Sequence, residues 1–157
     1  MPLEQRKSEI TDYANTTRFA TLAYLREDGA PVQRSFGSFA LANYDVIFST
    51  RKEAAKVRDI VTNNKVSFLF EHDSQELPKW RNALFIGEAY KIEEARELDW
   101  AVGILSERNP RFKERIEKGE LPNIQLFKLK TRDIEYIDYS KGAGHVEKFT
   151  LTKEEEY

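Results

Sequence analysis

The sequence contains no cysteine and only two histidines, His72 and His145. The lack of cysteine excludes disulfide bonds, iron–sulfur clusters, thiolate catalysis and zinc sites built on thiolates. A metal site built on histidine would need both rings to meet in space with carboxylates. We predict no metal site and assign one histidine to a loop and the other to a tail.

The sequence also lacks any apolar run long enough to span a membrane. Its first residues do not have the apolar core of a secretory signal peptide. Phosphate-binding P-loops, dinucleotide-binding G-x-G-x-x-G turns and the G-x-S-x-G turn of hydrolases are absent. The formal net charge is −2 and the basic residues are scattered, which argues against a nucleic-acid-binding surface. We therefore expect a cytoplasmic protein with no nucleic-acid or membrane partner.

What remains is the composition of an ordinary globular domain. Of the 157 residues, 40% are hydrophobic and 33% are charged. We predict one domain over residues 1–157, in which 141–157 form an irregular tail. Strand-like alternation dominates, and segments of helical spacing interrupt it. The pattern predicts a mainly β (α+β) fold, an antiparallel barrel of about six strands with inserted helices.

Several elements of this barrel can be placed from local patterns. A helix over 4–14 is predicted to bury Ile10, Tyr13 and Ala14. We predict one continuous strand over 32–41, a helix over 51–63, and two separate strands over 124–129 and 134–139. Gly87 interrupts the strand predicted over 82–92, which indicates a bend or a bulge.

The first candidate binding residue is Arg34. Strict alternation places it on the same face of its strand as Val32 and Phe36. A guanidinium on an apolar face needs a partner, because burying it alone is very costly. It can form a structural ion pair, extend to solvent at the end of the strand, or bind an anionic ligand.

The second candidate lies where a strand is followed by the helix predicted over 51–63. Ser49 and Thr50 precede this helix, and Lys52 and Lys56 would share one of its faces. Free N–H groups and the helix dipole make such a start suitable for an anion. However, the sequence from Thr50 to Glu53 also fits a capping box, in which Thr50 only caps the helix. The motif alone leaves both interpretations open.

Taken together, these residues resemble the FMN-phosphate site of the pyridoxamine 5'-phosphate oxidase family. That family has an arginine that opens an R-x-x-x-x-K strand, a threonine after the next turn, and a lysine in the following helix. Arg34, Thr50 and Lys56 have the same order and similar spacing. The family's Arg-Gln pair before a glycine-containing strand resembles Arg81-Asn82, with Asn82 in the position of the glutamine that bonds the flavin ring.

The resemblance implies a split β-barrel that binds FMN as a homodimer, with the flavin at the subunit interface. The phosphate would be held by Arg34, Ser49, Thr50 and Lys56. The isoalloxazine would lie against the backbone of Ser35, Phe36 and Gly37, and Asn82 would bond its polar edge. Arg51 is a further phosphate contact, which we infer from its place at the predicted helix start rather than from the family.

The chain departs from the family at the substrate end. Phe39 replaces the lysine of the R-x-x-x-x-K motif, Ala55 replaces the arginine beside the helical lysine, and the C-terminal signature of true pyridoxamine phosphate oxidases is absent. We therefore expect a flavoprotein, an FMN-dependent oxidoreductase of unknown substrate, rather than a vitamin B6 oxidase. Two alternatives stay open: a non-catalytic flavin, heme or deazaflavin binder in storage or sensing, and a barrel without cofactor that serves as an interaction module.

Overall fold

The structure, a computed structural model, describes residues 3–151, with side chains from Arg6 onwards. Its four α-helices within this range are α1 (Leu3–Asn15), α2 (Ala55–Thr62), α3 (Ala95–Arg108) and α4 (Pro110–Glu117). Its strands are β1 (Ala20–Leu25), β2 (Pro31–Phe36), β3 (Phe39–Ala42), β4 (Asp45–Arg51), β5 (Lys65–Phe70), β6 (Arg81–Lys91), β7 (Ile124–Asp138) and β8 (Val146–Thr150). Short 3₁₀ turns occur at Leu77–Lys79, Leu121–Asn123 and Tyr139–Lys141. Within the described residues, no helix is both long and apolar enough to cross a membrane.

The strands form one antiparallel sheet that curls into a split barrel. The order is β2–β1–β5–β6–β7–β4–β3, and β8 pairs with β7. Phe36 lies on the edge strand β2 and Phe48 lies on β4, next to the opposite edge strand β3, yet their ring centroids are 5.7 Å apart. The two ends therefore meet across the barrel interior, as the predicted barrel fold requires. The fold class and the split-barrel architecture are confirmed, with eight strands rather than six.

Two apolar clusters hold the barrel and its helices together. The interior cluster contains Phe36, Phe48, Phe68, Phe70 and Phe85, all buried. Its neighbours include the α1 residues predicted to be buried, Ile10, Tyr13 and Ala14. A second cluster joins the outer face of β4 and β7 to α3 and α4; its buried members are Ala40, Ile47, Ile92, Ala101, Leu105, Phe112, Ile124 and Leu126.

Three strand predictions need correction. The strand predicted over 32–41 is broken between Phe36 and Phe39, because the Ser38 carbonyl accepts a hydrogen bond from the Ser49 amide at 3.1 Å instead of extending β2. The two strands predicted over 124–139 are a single strand, β7. The tail predicted from residue 141 contains β8, which pairs with Asp133–Ile137 of β7. Residues 152–157, which belong to the same predicted tail, lie outside the described part of the chain.

Gly87 confirms the predicted irregularity in β6. The register between β6 and β7 shifts between Ile86 and Gly87, so that Arg132 has no partner across the ladder. A Cβ atom on Gly87 would lie 2.0 Å from the Lys130 carbonyl oxygen. Only glycine permits this approach of the two backbones, which keeps β7 continuous past the bulge.

The start of α2 also differs from the prediction. The helix begins at Ala55, its N-cap is Ala54, and no side chain caps it. The capping box from Thr50 to Glu53 is therefore wrong, because Thr50 and Arg51 pair with Gln125 and Ile124 of β7 and extend β4. Lys52 precedes the helix and does not share a helical face with Lys56.

Candidate functional site

Two cations, Arg34 and Lys56, lie together beside Phe36 and have no carboxylate partner among residues 6–151. Arg34 is opposite Leu22 on the inward face of β2, but its side chain is exposed. Lys56, the second residue of α2, is half-buried, and its Nζ lies 5.1 Å from the centre of the Phe36 ring. Burial, and secondarily the positive charge of Arg34, lowers the pKa of Lys56 below its ordinary value. The two side chains are therefore close enough to repel each other.

Nothing in the described part of the chain neutralises this pair. The Arg34 guanidinium donates a hydrogen bond from Nη1 to the Gln33 carbonyl oxygen at 3.0 Å. Neither Arg34 nor Lys56 forms an ion pair with an acidic residue between residues 6 and 151. An anion between them would remove the repulsion and would bond to both donors.

Thr50 lies on the face of β4 that leads to this pair, whereas Ser49 does not. Alternation places Thr50 on the same face as Phe48, whose ring contacts Phe36. Ser49 is buried on the other face, where its hydroxyl bonds to the hydroxyl of Ser38. The structure therefore brings Arg34, Thr50 and Lys56 towards one side of the barrel and turns the Ser49 side chain away.

The other residues predicted to contact FMN are Ser35, Phe36, Gly37, Arg51 and Asn82. Ser35 and Gly37 are exposed on either side of the buried Phe36. The Arg51 side chain is 75% exposed and its Nη2 lies 3.9 Å from Glu53 Oε2. Such a contact is weak and leaves the guanidinium free to move.

Asn82 is not brought to Arg34. It lies on β6, three strands away from β2 in the sheet, which corresponds to about 14 Å of strand spacing. Its Nδ2 donates to Glu71 Oε2 at 3.0 Å, and the same oxygen accepts from Trp80 Nε1 at 2.8 Å. Its side chain points to the outer face of the barrel, as those of Leu84 and Ile86 do.

A polar cluster that the sequence did not predict lies at the junction of α1 with β6. The Tyr13 hydroxyl donates to the Arg81 carbonyl oxygen and accepts from the His72 amide at 3.0 Å. The Arg81 guanidinium lies 4.9 Å from the centre of the Tyr13 ring, and burial raises the pKa of Tyr13. His72 Nε2 is 3.0 Å from the Tyr13 carbonyl oxygen and 3.2 Å from Thr16 Oγ1. These contacts fasten α1 to the barrel and occupy His72.

A groove of about 530 Å³ lined by arginines was not predicted from the sequence either. Arg18, Arg111 and Arg115 border it, together with Phe19 and Gly37. The helical spacing of Arg111 and Arg115 on α4 was a usable signal, but only the fold places α4 beside the residues that precede β1.

The structure thus combines an antiparallel split barrel with an arginine–lysine pair that forms no ion pair with an acidic side chain among residues 6–151. The family model described as pyridoxamine 5'-phosphate oxidase matches residues 7–138. The chain belongs to this family, as its sequence motifs predicted. Among curated proteins, no relative matches at a significant level.

Solved structures with this fold include heme proteins and a stress-related protein. A heme-binding protein from Mycobacterium smegmatis has a TM-score of 0.75 at 17% identity, with 96% of this chain covered. The chain spans 59% of the length of that protein. HutZ, the heme storage protein from Vibrio cholerae, has a TM-score of 0.65 at 22% identity, over 84% of this chain and 92% of HutZ.

A protein from Clostridium acetobutylicum related to general stress protein 26 of B. subtilis, of the pyridoxinephosphate oxidase family, is also similar. Its TM-score is 0.70 at 14% identity, with 98% of this chain and 99% of that protein covered. At these identities, the three likenesses show the fold alone.

Proposed function

We propose that the protein is an FMN-binding flavoprotein whose Arg34 and Lys56 hold the cofactor phosphate, and that it acts as an oxidoreductase. The observation that carries this proposal is the pair itself. Two cations stand side by side, one of them half-buried, and no carboxylate in the described chain compensates them. A phosphate matches this arrangement in charge, and a guanidinium can donate two parallel N–H bonds to it.

The other residues have separate roles in this proposal. The Thr50 hydroxyl donates to a phosphate oxygen, and Arg51 swings from Glu53 to add a third cation. The isoalloxazine lies against the backbone of Ser35, Phe36 and Gly37. This segment is next to the proposed phosphate site, because the Phe36 ring lies beside Lys56. The Ser49 amide is bonded to Ser38, so Ser49 positions β4 rather than holding the phosphate. Bound FMN supplies hydride or electron transfer, and the protein orients it and tunes its potential.

A homodimer gives Asn82 a role that one subunit cannot give it. The outer face of the barrel has an apolar hollow of about 300 Å³ lined by residues that include Ala23, Leu25, Leu84 and Ile86. Asn82 lies on this same face of β6. A second copy that covers the hollow would leave Asn82 at the subunit boundary, where its amide can reach the flavin ring held by the partner.

The test is an FMN titration of the purified protein, followed by flavin fluorescence. Arg34→Ala and Lys56→Ala should each weaken binding about 10- to 100-fold, the effect of losing a charged hydrogen bond. The control is Arg58→Ala, which removes an exposed cation from the same helix and leaves the pair intact. Unchanged affinity in both site variants would contradict the phosphate assignment.

Heme binding is the second candidate, because two of the similar structures are heme proteins by name. The only histidines described are His72, whose ring is engaged with Tyr13 and Thr16, and His145, whose side chain is 40% exposed. A Soret band after addition of hemin, retained in Arg34→Ala and lost in His145→Ala, supports heme. A flavin spectrum supports the first proposal, and deazaflavin is added as a parallel probe. A protein that is colourless and binds neither FMN, hemin nor deazaflavin supports an interaction module. Flavin reduction by NADH or NADPH with turnover of an acceptor would show catalysis.

A further inference from the structure

We propose that the outer side of α3 is a contact between two copies of this chain, in which the two α3 helices pack antiparallel about a twofold axis. We name it the α3 face and define it by Arg96, Trp100, Gly103 and Glu107, all of which are exposed. These residues recur at i, i+4, i+7 and i+11, which is the spacing of the seam between two packed helices. The opposite side of α3 is buried in the second apolar cluster. This inference goes beyond the proposed FMN site and does not depend on it.

The centre of the α3 face places a large ring next to an open space. Trp100 is 45% exposed, although tryptophan is a residue that interfaces favour. Gly103 follows on the same side of the helix, and a Cβ atom there would meet nothing within 4 Å. A glycine in the interior of a helix costs stability relative to alanine, and within one copy nothing offsets this cost. In an antiparallel pair, the Trp100 ring covers the partner's Gly103, where the missing side chain leaves space for it.

The two ends of the α3 face carry charges that a single helix does not favour. Arg96 lies in the first turn and Glu107 in the last turn, so each is at the end whose helix dipole has the same sign as its charge. Among residues 6–151, neither forms an ion pair, and the neighbouring Glu97 is paired with Lys128 at 2.7 Å. An antiparallel second helix brings the partner's Glu107 to Arg96 and the partner's Arg96 to Glu107. Each charge then gains a counter-charge, and the two helix dipoles are also aligned favourably.

A second copy is the occupant that this order of residues selects. The face has the order arginine, tryptophan, glycine and glutamate, so a copy rotated by a twofold axis presents the matching residue at every position. The helix has 14 residues, which is about 21 Å of helix. A contact of this length is smaller than a standard interface of about 1,600 Å² and belongs to the weak, reversible class. In dilute protein the copies separate, and substitutions on this face then affect only the single helix.

The α3 face is separate from the surface proposed for the FMN homodimer. That surface is the hollow on β1, β5 and β6, lined by residues that include Leu25, Leu84 and Ile86. In contrast, α3 packs against the outer face of β4 and β7. If the FMN homodimer forms, the α3 face joins dimers into tetramers or longer chains. If it does not form, the α3 face joins monomers.

The experiment measures the average mass by sedimentation equilibrium from about 10 µM to about 1 mM protein, the range in which weak contacts form. The mass of the wild type should rise to at least twice its value in dilute protein. Failure of the FMN homodimer would change only the dilute value, so the two proposals are tested separately. A mass that stays constant over the whole range would overturn the proposal and leave the α3 face to a different protein.

Exchange of the charges tests the antiparallel arrangement. Arg96→Glu alone and Glu107→Arg alone each bring like charges together, and each should weaken association at least about tenfold at low salt. An equal mixture of these two variants should associate as strongly as the wild type, because every arginine then faces a glutamate again. The control is Lys79→Glu, which makes the same change of net charge at an exposed lysine before β6, whereas α3 follows β6 at its other end. Normal association of either single variant, or no recovery in the mixture, would contradict the arrangement.

Two further variants test the packing at the centre of the face. Trp100→Gln should weaken association because it removes the ring. Gly103→Leu adds an apolar side chain and should nevertheless weaken association, because leucine fills the space that the partner's Trp100 occupies. Both positions are exposed, so circular dichroism should show the wild-type fold in each variant. Stronger association of Gly103→Leu would indicate a non-specific apolar contact and would overturn the proposal.

Discussion

The Lys56 ammonium nitrogen lies 5.1 Å from the centre of the Phe36 ring, so a residue of the core directly contacts a residue of the candidate phosphate site. The same ring makes edge contacts with Phe48 and Phe68, at centroid distances of 5.7 and 6.0 Å. Phe36 therefore connects the packing of the barrel to the position of the cation.

Replacing Phe36 with leucine should affect both the stability of the barrel and the binding of FMN. Phe36→Leu keeps an apolar residue but loses the two ring contacts and the surface under Lys56, and should lower the free energy of unfolding by about 1–2 kcal/mol. FMN affinity should fall as well, because Lys56 is no longer held over a ring. Urea unfolding and FMN titration measure the two effects. Phe19→Leu, at a half-exposed ring, is the control and should leave unfolding nearly unchanged.

FMN affinity should depend on pH through Lys56. Its pKa is lowered by burial and by Arg34, so the ammonium loses its proton at a lower pH than an ordinary lysine does. A bound phosphate favours the charged form, and binding should therefore take up a proton over this range. Affinity should fall as the pH rises from neutral towards about 10, the ordinary lysine value.

Calorimetry in buffers of different ionisation enthalpy measures this proton uptake. Lys56→Arg is the control, because arginine stays protonated throughout the range. A wild-type protein that shows the same alkaline pH profile as Lys56→Arg would contradict the assignment.

Two glycines should respond to alanine in opposite directions. Gly87→Ala would force a Cβ atom to within 2.0 Å of the Lys130 carbonyl oxygen, and should cost about 3 kcal/mol or more or prevent folding. Gly103 lies inside α3, and a Cβ atom there meets nothing within 4 Å. Gly103→Ala should stabilise the protein by about 0.5–1 kcal/mol, the helix preference of alanine. Equal midpoints of thermal unfolding would contradict both expectations.

Local sequence information was sufficient where one strand or helix decides the outcome. The lone glycine in β6 indicated the bulge, and the spacing of Ile10, Tyr13 and Ala14 indicated the buried face of α1. It failed where a distant partner decides. Thr50 and Arg51 belong to β4 because they pair with β7, more than 70 positions later in the chain. β8 alternates charged and apolar residues weakly, and it forms because β7 extends beyond β4 and offers an unpaired edge.

The geometry of the candidate site also depends on residues that are distant in the sequence. Arg34 and Lys56 meet because the two ends of the sheet close on each other, which the family resemblance implied and local patterns did not. The Ser49 side chain points away from Arg34 and Lys56, and its hydroxyl bonds to the hydroxyl of Ser38, which β3 and β4 bring next to it. The arginine-lined groove combines Arg18 and Arg111, which no local pattern connects.

Arg108 should be the residue that most strongly attaches α3 to the segment before β1 and to the start of β3. Its guanidinium bonds to three backbone carbonyls and lies 3.9 Å from the centre of the Phe39 ring. The side chain is partly buried, and this burial lowers the pKa of Arg108. Arg108→Met keeps much of the apolar volume but leaves these acceptors without their donor, and should destabilise the protein by about 2–4 kcal/mol in urea unfolding.

Arg96→Met is the matched control, because Arg96 is an exposed arginine on the same helix. It should change the unfolding midpoint little. An Arg108→Met protein as stable as Arg96→Met would show that the three carbonyl bonds contribute nothing to the fold.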